Sequence, residues 1–429
     1  SIKAFKTIIG DGKGNYQMIK LNFDVKKHKL ENGLEVLTIK KDTQISSINV
    51  GIKVGSLNES KNEKGISHFI EHMMFKGTIK RGFEKLNDDL ESLGGEYNAY
   101  TDYSITVYSI SCLEEELGNA IELLGDMVTN SVFLQEEIEK ERGVILAEMK
   151  ASMDSVEDLS FKRVNEIAFG KSCLRYDVAG TEKNVKKFTR KDLISYYEKH
   201  YIPNNTLITM VSSLEHEEAL EKIKENFGHW QSKELVAVEI FDEQNKAIRK
   251  TTYKKNIELS TIMYLFTFYD LEKDLELPLR ILNHRLGESS NSLLFREVRE
   301  IRGLAYDIYS HLDMTNHIKS LYIYTAVAEE DVNKTIEAIN EILEGVKKKK
   351  IEIGERDLDI MKKVHKTAVI STLDDSSELC SYILNQSIED EDIYEFLHDM
   401  ERINNITSDE IYEVANKVLK NPTIHILKS

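Results

Sequence analysis

The residues with the clearest chemical potential are two histidines and a glutamate in the segment GISHFIEHMMFKGT: His68, Glu71 and His72. At about 100° per residue on a helix, the two histidines lie about 40° apart with the glutamate beside them, so all three share one face. Two imidazoles one turn apart suit a tetrahedral zinc ion, and the carboxylate is then free to act on a bound water. A surface cluster, or histidines buried against the apolar residues 73–75, is the alternative.

A zinc ion held by two histidines needs a third protein ligand and keeps its fourth position for water. The segment EEIEKERGVILAEMKAS supplies Glu141 and Glu148, which are seven residues apart and therefore share one face of a helix. Such a pair beside the apolar residues 144–146 would be half-buried, which is unusual for carboxylates unless they bind a cation. A solvated acidic stripe is the alternative interpretation.

The elements that must position these residues occur twice along the chain. Residues 33–56 alternate between polar and apolar and indicate two strands around a polar turn, and a second such run covers residues 253–268. An amphipathic helix, a short break and a longer charged helix follow in each half, near residues 115–149 and 329–364. The sequence therefore predicts an internal duplication.

We predict an α+β fold of two homologous domains, each a mostly antiparallel sheet with helices packed on one face. The domains are expected at residues 1–230 and 249–429, with a linker at residues 231–248, where helical periodicity fades. The first 25 or so residues form an extension that the duplication does not assign. Because the sequence begins with Ser1 instead of Met, we expect a processed start.

The composition limits the partners. The 429 residues include 57 Lys+Arg and 74 Asp+Glu, a net charge of −17, which disfavours nucleic acid and anionic lipid and favours basic partners. Three widely spaced cysteines argue against a disulfide framework and for a reducing compartment. We find no apolar run of about 18 residues that would span a membrane, and no apolar core of a signal peptide. A cytoplasmic protein is expected.

The motif at positions 68–72, followed by Phe-Lys-Gly-Thr at 75–78 and by Glu148 in the segment VILAEM, resembles the insulinase and mitochondrial-processing-peptidase family of zinc peptidases. The length corresponds to the short, bacterial processing-peptidase-like branch. The resemblance extends from about Lys29 to the C-terminus and includes Ala179-Gly180-Thr181. It implies one zinc ion per chain, with Glu71 as general base, Glu141 as a supporting acid beside a ligand, and three ligands: His68, His72 and Glu148.

The resemblance also implies residues that contact the substrate. Arg299 and Tyr306 match a pair that contacts the substrate carbonyl from the second domain, although from the sequence alone a surface charge and a core aromatic are the simpler interpretations. Residues 98–109 alternate and indicate one strand, whose family counterpart is a sheet edge that binds an extended peptide. An ordinary core strand is the alternative. The substrate-binding residues expected there are Asn98, Ala99, Tyr100 and Thr101.

These features predict a zinc endopeptidase that cleaves peptides or unfolded segments in an enclosed chamber. Glu71 would take a proton from the zinc-bound water, which then attacks the peptide carbonyl. A homodimer with sites shared between subunits is expected, since relatives of this length pair two such chains. One alternative is a non-catalytic partner subunit of the same fold. Another is a peptide-binding module with structural zinc, which would offer four protein ligands.

Overall fold

The computed structural model describes residues 8–10, 16–18 and 21–429, and the rest of the predicted N-terminal extension lies outside the described residues. The strands are β1 Ile8–Gly10, β2 Tyr16–Met18, β3 Phe23–Lys29, β4 Glu35–Lys41, β5 Ile45–Ile52, β6 Glu96–Thr101, β7 Thr106–Leu113, β8 Thr206–Ser212, β9 Arg249–Tyr253, β10 Ser260–Thr267, β11 Ala305–Met314, β12 Lys319–Val327 and β13 Thr423–Lys428. The helices are α1 Ile66–Met73, α2 Phe83–Ser92, α3 Leu117–Thr129, α4 Gln135–Asp154, α5 Val156–Ala168, α6 Glu182–Val185, α7 Arg190–His200, α8 His216–Phe227, α9 Glu276–Asn283, α10 Val332–Lys347, α11 Glu355–Asp374, α12 Ser376–Ile388, α13 Glu395–Ile403 and α14 Ser408–Val418.

The order of strands in the two main sheets reveals the duplication. The first sheet has the order β3-β4-β8-β5-β7-β6, and the second, written in the same direction, has the order β9-β13-β10-β12-β11. In each sheet one neighbouring pair is parallel, β4 with β8 and β9 with β13, and the other pairs are antiparallel. The first sheet differs only by the additional edge strand β3. Two homologous, mostly antiparallel α+β domains are therefore confirmed.

Strand β5 shows how the alternation of the sequence builds the core. Its residues Ile48, Val50 and Ile52 are fully buried in the cluster formed with α1, α3 and neighbouring strands. The residues between them face the opposite side, where a Cβ atom on Gly51 would lie only 3.1 Å from a methyl group of Leu384. Because successive side chains of a strand point to opposite faces, both faces of this sheet are covered.

The helix that covers the opposite face of each sheet comes from the other half of the chain. Helix α12 packs on β5 and β8 of the first sheet, and α5 packs on β10 and β13 of the second sheet. These strands are equivalent in the two sheets, so the exchange of helices is reciprocal. The side chain of Asn49 donates a hydrogen bond to Ser381 (3.2 Å), and Ser160 bonds with Thr261 (2.5 Å). Each sheet therefore has helices on both faces, one layer its own and one from the other half.

Three sequence-based details differ from the structure or extend it. Residues 98–109 form two strands, β6 and β7, joined by a turn at Asp102–Ile105, so the prediction of one strand is wrong. The segment proposed as a linker is anchored, because the Glu243 carboxylate accepts backbone hydrogen bonds from Gly170, Lys171 and Ser172. Among the described residues, every helix is too short or too polar to serve as a membrane span.

Candidate metal centre

Helix α1 presents the predicted residues on one face. Its buried face, with Phe69, Ile70 and Met73, packs into the core of the first domain, so the orientation of the helix is fixed. His68, Glu71 and His72 lie on the other face and are only partly buried. The helical spacing inferred from the sequence is therefore realised, with a hydrophobic anchor on the opposite side.

The start of α1 is held by two unusual contacts. Gly65 has a φ of +100°, and a Cβ atom there would lie 2.4 Å from the carbonyl oxygen of Ala179; Gly180, in the Ala-Gly-Thr motif, fits equally closely against Lys64. The carboxylate of Glu59, 3% exposed, accepts hydrogen bonds from the backbone N–H groups of Gly65 and Ser67 (3.0 and 2.9 Å). The first turn of the helix is thus capped by a buried side chain.

Three potential ligand atoms converge between α1 and α4. The Nε2 atoms of His68 and His72 are 3.3 Å apart, and His72 Nε2 is 3.6 Å from Glu148 Oε2. All three donors lie within 4.8 Å of one another. Ligands at 2.0–2.1 Å from a tetrahedral zinc ion are separated by about 3.4 Å, so this donor set fits one ion. Glu148 is half-exposed, so the set is open to solvent on one side.

The orientation of His72 is set by Glu141. His72 Nδ1 lies 2.9 Å from Glu141 Oε2, and the other oxygen of this carboxylate accepts from Lys76 Nζ at 2.8 Å. With the proton of the neutral imidazole on Nδ1, the lone pair on Nε2 faces the other two donors. Burial alone would raise the pKa of Glu141, but the hydrogen bonds from His72 and Lys76 hold it below its ordinary value. The predicted supporting acid therefore contacts a proposed ligand.

The two histidines differ in their surroundings. Burial, reinforced by the neighbouring His72, lowers the pKa of His68 to about 4, which favours the neutral ring that a metal requires. Burial also acts to lower the pKa of His72, but the hydrogen bond to Glu141 and the nearby carboxylates outweigh it and raise the pKa. His68 Nδ1 is buried without a hydrogen-bond partner among the described residues, whereas His72 Nδ1 is fixed.

Glu71 stands beside the proposed ligands without belonging to them. Its Oε2 atom accepts a hydrogen bond of 2.6 Å from the hydroxyl of Thr101, at the end of the edge strand β6. Burial raises the pKa of Glu71, although the hydrogen bond from Thr101 acts in the opposite direction. Because a raised pKa makes a carboxylate a stronger base, Glu71 is suited to accept a proton from a water molecule at the proposed metal position.

The predicted substrate residues occupy two separate places. Strand β6 contains Asn98, Ala99, Tyr100 and Thr101, pairs with β7 on one side, and forms the edge of the first sheet. An edge position agrees with the family-based expectation and not with an ordinary core strand. Of the four residues, Thr101 is the one bonded to Glu71.

Arg299 and Tyr306 lie in the second domain. Arg299 is part of a π-helical turn, Phe295–Ile301, and its guanidinium stacks over the ring of Phe295 at 4.7 Å. Tyr306 sits in a β-bulge at the start of β11 and is 66% exposed, so it is not a core aromatic. Within the described chain, neither forms a hydrogen bond or ion pair with the histidines and glutamates of the proposed metal site.

The second domain contains a helix equivalent to α4 that lacks both glutamates. Helices α4 and α11 are both 20 residues long and have equivalent places, which puts Met361 at the position of Glu141 and Ala368 at that of Glu148. A cavity of about 500 Å³ lies there, lined among others by these two residues and His365. The second domain therefore has apolar residues, beside a cavity, at the positions equivalent to these two glutamates.

Sequence reasoning did not identify Lys76 as part of the site. Its partner Glu141 is 65 residues away along the chain, and the pairing depends on how α1 and α4 pack together. The sequence contains little signal for this contact, because Lys76 lies three residues beyond the end of α1 at Met73 and its place depends on the turn that follows the helix.

Comparisons with known proteins agree with the fold and with a family of zinc proteases. Residues 35–182 match the family described as insulinase (peptidase family M16), and residues 187–364 match the peptidase M16 inactive domain. The chain is 30% identical over 424 residues to an uncharacterized zinc protease of Rickettsia felis, covering 94% of this chain and 97% of that protein. It is also 36% identical over 201 residues to the mitochondrial-processing peptidase subunit beta of Bos taurus, covering 46% and 41% of the two chains.

A solved structure extends the comparison to the whole fold. The crystal structure of a protease from Helicobacter pylori superposes with a TM-score of 0.87 at 23% identity, covering 95% of this chain and 100% of that chain. Together with the match to the whole length of the Rickettsia protein, these similarities show that the chain belongs to the insulinase family, peptidase family M16. Relatives named as zinc proteases place it in a family of metallopeptidases.

Proposed function

We propose that the protein is a zinc-dependent endopeptidase with one zinc ion per chain, held by His68, His72 and Glu148. The observation that carries this proposal is the convergence of three donor atoms within 4.8 Å, with Glu71 beside them as a carboxylate that is not one of the proposed ligands. A structural zinc site would have four protein ligands and no adjacent acid. A non-catalytic subunit would be expected to have lost a ligand or Glu71, and this chain keeps all four residues.

Each residue has a distinct role in the proposed hydrolysis. A bound zinc ion would supply a Lewis acid for the peptide carbonyl and lower the pKa of a water molecule to about 7. Glu71 accepts the proton of the attacking water and then delivers it to the departing amine. Thr101 holds the Glu71 carboxylate by its hydrogen bond of 2.6 Å, so that one oxygen remains available for the proton. Glu141 keeps the Nδ1–H of His72 in place (2.9 Å).

The edge strand β6 is the proposed binding site for the peptide backbone. An extended peptide that pairs with an edge strand gains main-chain hydrogen bonds, which demand little of its side chains. Because Thr101 at the end of β6 contacts Glu71, a peptide paired with residues 98–101 would pass the catalytic carboxylate. This geometry supports cleavage within a chain and a broad choice of sequences.

A cavity of about 590 Å³ between the two halves of the chain is the proposed interior of the chamber. Among its lining residues are three carboxylates, Asp158, Asp177 and Asp313, and two cations, Lys162 and Arg175. His311 also lines the cavity, and its hydrogen bond to Asp313 raises its pKa, so the charges of the lining nearly balance. The preference for basic peptides is therefore supported by the net charge of −17.

We further propose a cytoplasmic homodimer in which Arg299 and Tyr306 of one subunit act on the site of the other. Two observations support this arrangement: among the described residues, neither side chain bonds to the proposed metal site of its own chain, and Tyr306 is exposed. Tyr306 would then donate a hydrogen bond to the developing oxyanion. The small number and wide spacing of the cysteines, Cys112, Cys173 and Cys380, support a reducing compartment.

The test combines metal analysis with peptide hydrolysis. We expect Glu148→Gln to lose most of its zinc affinity, and Glu71→Gln to keep the metal and lose turnover by roughly three orders of magnitude or more, the combined size of lost acid and base catalysis. The matched control is Glu136→Gln, an exposed residue on the same helix as Glu148. Near wild-type hydrolysis by Glu71→Gln would contradict the mechanism. A wild-type chain that binds no zinc would contradict the function itself.

A further inference from the structure

The Phe-Lys-Gly-Thr segment that follows α1 contains Lys76, to which the proposed mechanism assigns no role. The side chain of Lys76 is 20% exposed, and its ammonium lies 4.6 Å from the centre of the Phe83 ring. The following turn is anchored by Thr78, which donates to Asp126, and by Arg81, which bonds to the same carboxylate (both 2.7 Å). Lys76 is therefore held in a fixed place, unlike most surface lysines.

The ammonium of Lys76 and the imidazole of His72 each contact a different oxygen of the Glu141 carboxylate. One oxygen of Glu141 accepts from Lys76 Nζ at 2.8 Å and the other lies 2.9 Å from His72 Nδ1. The Glu141 side chain is only 7% exposed, so solvent cannot replace a lost partner. A buried carboxylate that loses its cation is left poorly solvated, and it would turn away or take up a proton.

We propose that Lys76 is a positioning residue for the zinc site, acting through Glu141 to fix the ring of His72. The inference rests on the proposed function, because it concerns a ligand of the proposed metal. With Lys76 in place, Glu141 stays aligned with Nδ1, and Nε2 of His72 remains directed at the other two donors. Partners behind metal ligands fix the tautomer and the orientation of the ring.

The two histidines of the proposed site are not held equally firmly. His68 Nδ1 is buried without a hydrogen-bond partner among the described residues, so nothing comparable fixes that ring. His72 is therefore the proposed ligand whose ring is oriented before the metal binds. Lys76 contributes to that orientation because it holds Glu141. Removal of Lys76 should weaken metal binding and leave the protein folded, because α1 is anchored through its opposite, buried face.

The experiment measures zinc affinity by competition with a chromogenic chelator for the wild type, Lys76→Met, Lys76→Arg and Lys140→Met. Lys140 is the matched control, a lysine next to Glu141 in sequence that pairs with Glu136 and Glu137 instead. Loss of a partner behind a ligand typically weakens metal binding about 10- to 100-fold, and we expect about 10-fold for Lys76→Met. We expect Lys76→Arg to stay within about threefold of wild type, since its guanidinium can also bond a carboxylate.

A double-mutant cycle separates positioning from general stability. In a Glu141→Gln background, Lys76→Met should cause no further loss of zinc affinity, because its route to His72 is already cut. The visible spectrum of bound Co²⁺ should change in Lys76→Met and not in Lys140→Met. If Lys76→Met does not fold by circular dichroism, Lys76→Gln replaces it in the same cycle.

Two results would overturn the inference. One is a zinc affinity of Lys76→Met within twofold of wild type. The other is that Lys76→Met lowers zinc affinity by the same factor in the Glu141→Gln background as in the wild type. Either can occur in a protein that binds zinc and hydrolyses peptides. Failure of the wild type to bind zinc would instead overturn the proposed function, so the two failures are distinguishable.

Discussion

The buried carboxylate of Glu59, which caps α1, should make the stability of the first domain depend on pH. Burial raises the pKa of Glu59 from 4.5 to about 7, although two backbone N–H groups donate to it. The buried Lys64 nearby donates to the carbonyl oxygen of Ser56 (2.7 Å) and lowers this pKa only in part. The replacement Glu59→Gln removes the titrating group and keeps one acceptor oxygen.

The direction of the pH dependence follows from the number of protons bound to the folded and the unfolded protein. Between pH 4.5 and about 7 the folded protein retains the proton on Glu59, whereas the unfolded chain has released it. Stability therefore falls as the pH rises through this window. At about 1.4 kcal/mol per pKa unit, the wild type should lose roughly 2–3 kcal/mol relative to Glu59→Gln between pH 5 and pH 8.

Urea unfolding at pH 5, 6, 7 and 8, with chelator present so that metal binding does not contribute, measures this difference. The variant also loses a hydrogen-bond acceptor, but that loss is the same at every pH and shifts all its values equally. Glu218→Gln, at an exposed position of α8, is the control and should follow the wild type. Parallel curves for the wild type and Glu59→Gln would refute the assignment of a titrating, buried Glu59.

Three further predictions follow from the exchange of helices, the chamber and the dimer. Leu384→Ala on α12 should destabilise the first domain by about 2–5 kcal/mol in urea unfolding, because the buried side chain covers β5; an unchanged midpoint would contradict this packing. A Lys/Arg-rich peptide should have a higher kcat/KM than its Asp/Glu-rich counterpart at low salt, and the ratio should shrink at ~0.1 M salt, where charges are screened over about 10 Å. Inactive Glu71→Gln and Tyr306→Phe proteins should recover towards about half of wild-type activity per mixed dimer after subunit exchange, since two-fold symmetry leaves one site intact; no recovery after demonstrated exchange would exclude action between subunits.

The convergence of the proposed ligands could be predicted in part from the sequence. The spacing of His68, Glu71 and His72 places them on one face of a helix whatever the rest of the chain does, because helical geometry is local. The spacing indicated Glu141 and Glu148 as a pair of candidates, but the choice of Glu148 as the ligand came from the family resemblance, since its approach depends on the packing of α1 against α4. The contact between Lys76 and Glu141 has the same origin and was missed.

The fold was predictable where periodicity is local and less so where partners are distant. The alternation around β4 and β5 indicated both strands, but the same alternation runs through Asp102–Ile105 and concealed the turn between β6 and β7. The exchange of α5 and α12 left no local signal. An amphipathic helix records that one face is buried, but the sequence does not say which sheet covers it.

The reciprocal placement of α5 and α12 has a consequence for synthesis on the ribosome. The first sheet is complete in sequence at the end of β8, but the helix that covers its second face ends roughly 180 residues later, a delay of about 10–35 s at ordinary elongation rates. During that interval apolar residues such as Leu37, Ile39 and Val211 lack their final cover. We expect this apolar surface of the nascent chain to be covered by another protein, such as a chaperone, until α12 has been synthesised. Aggregation during expression should begin at the same surface.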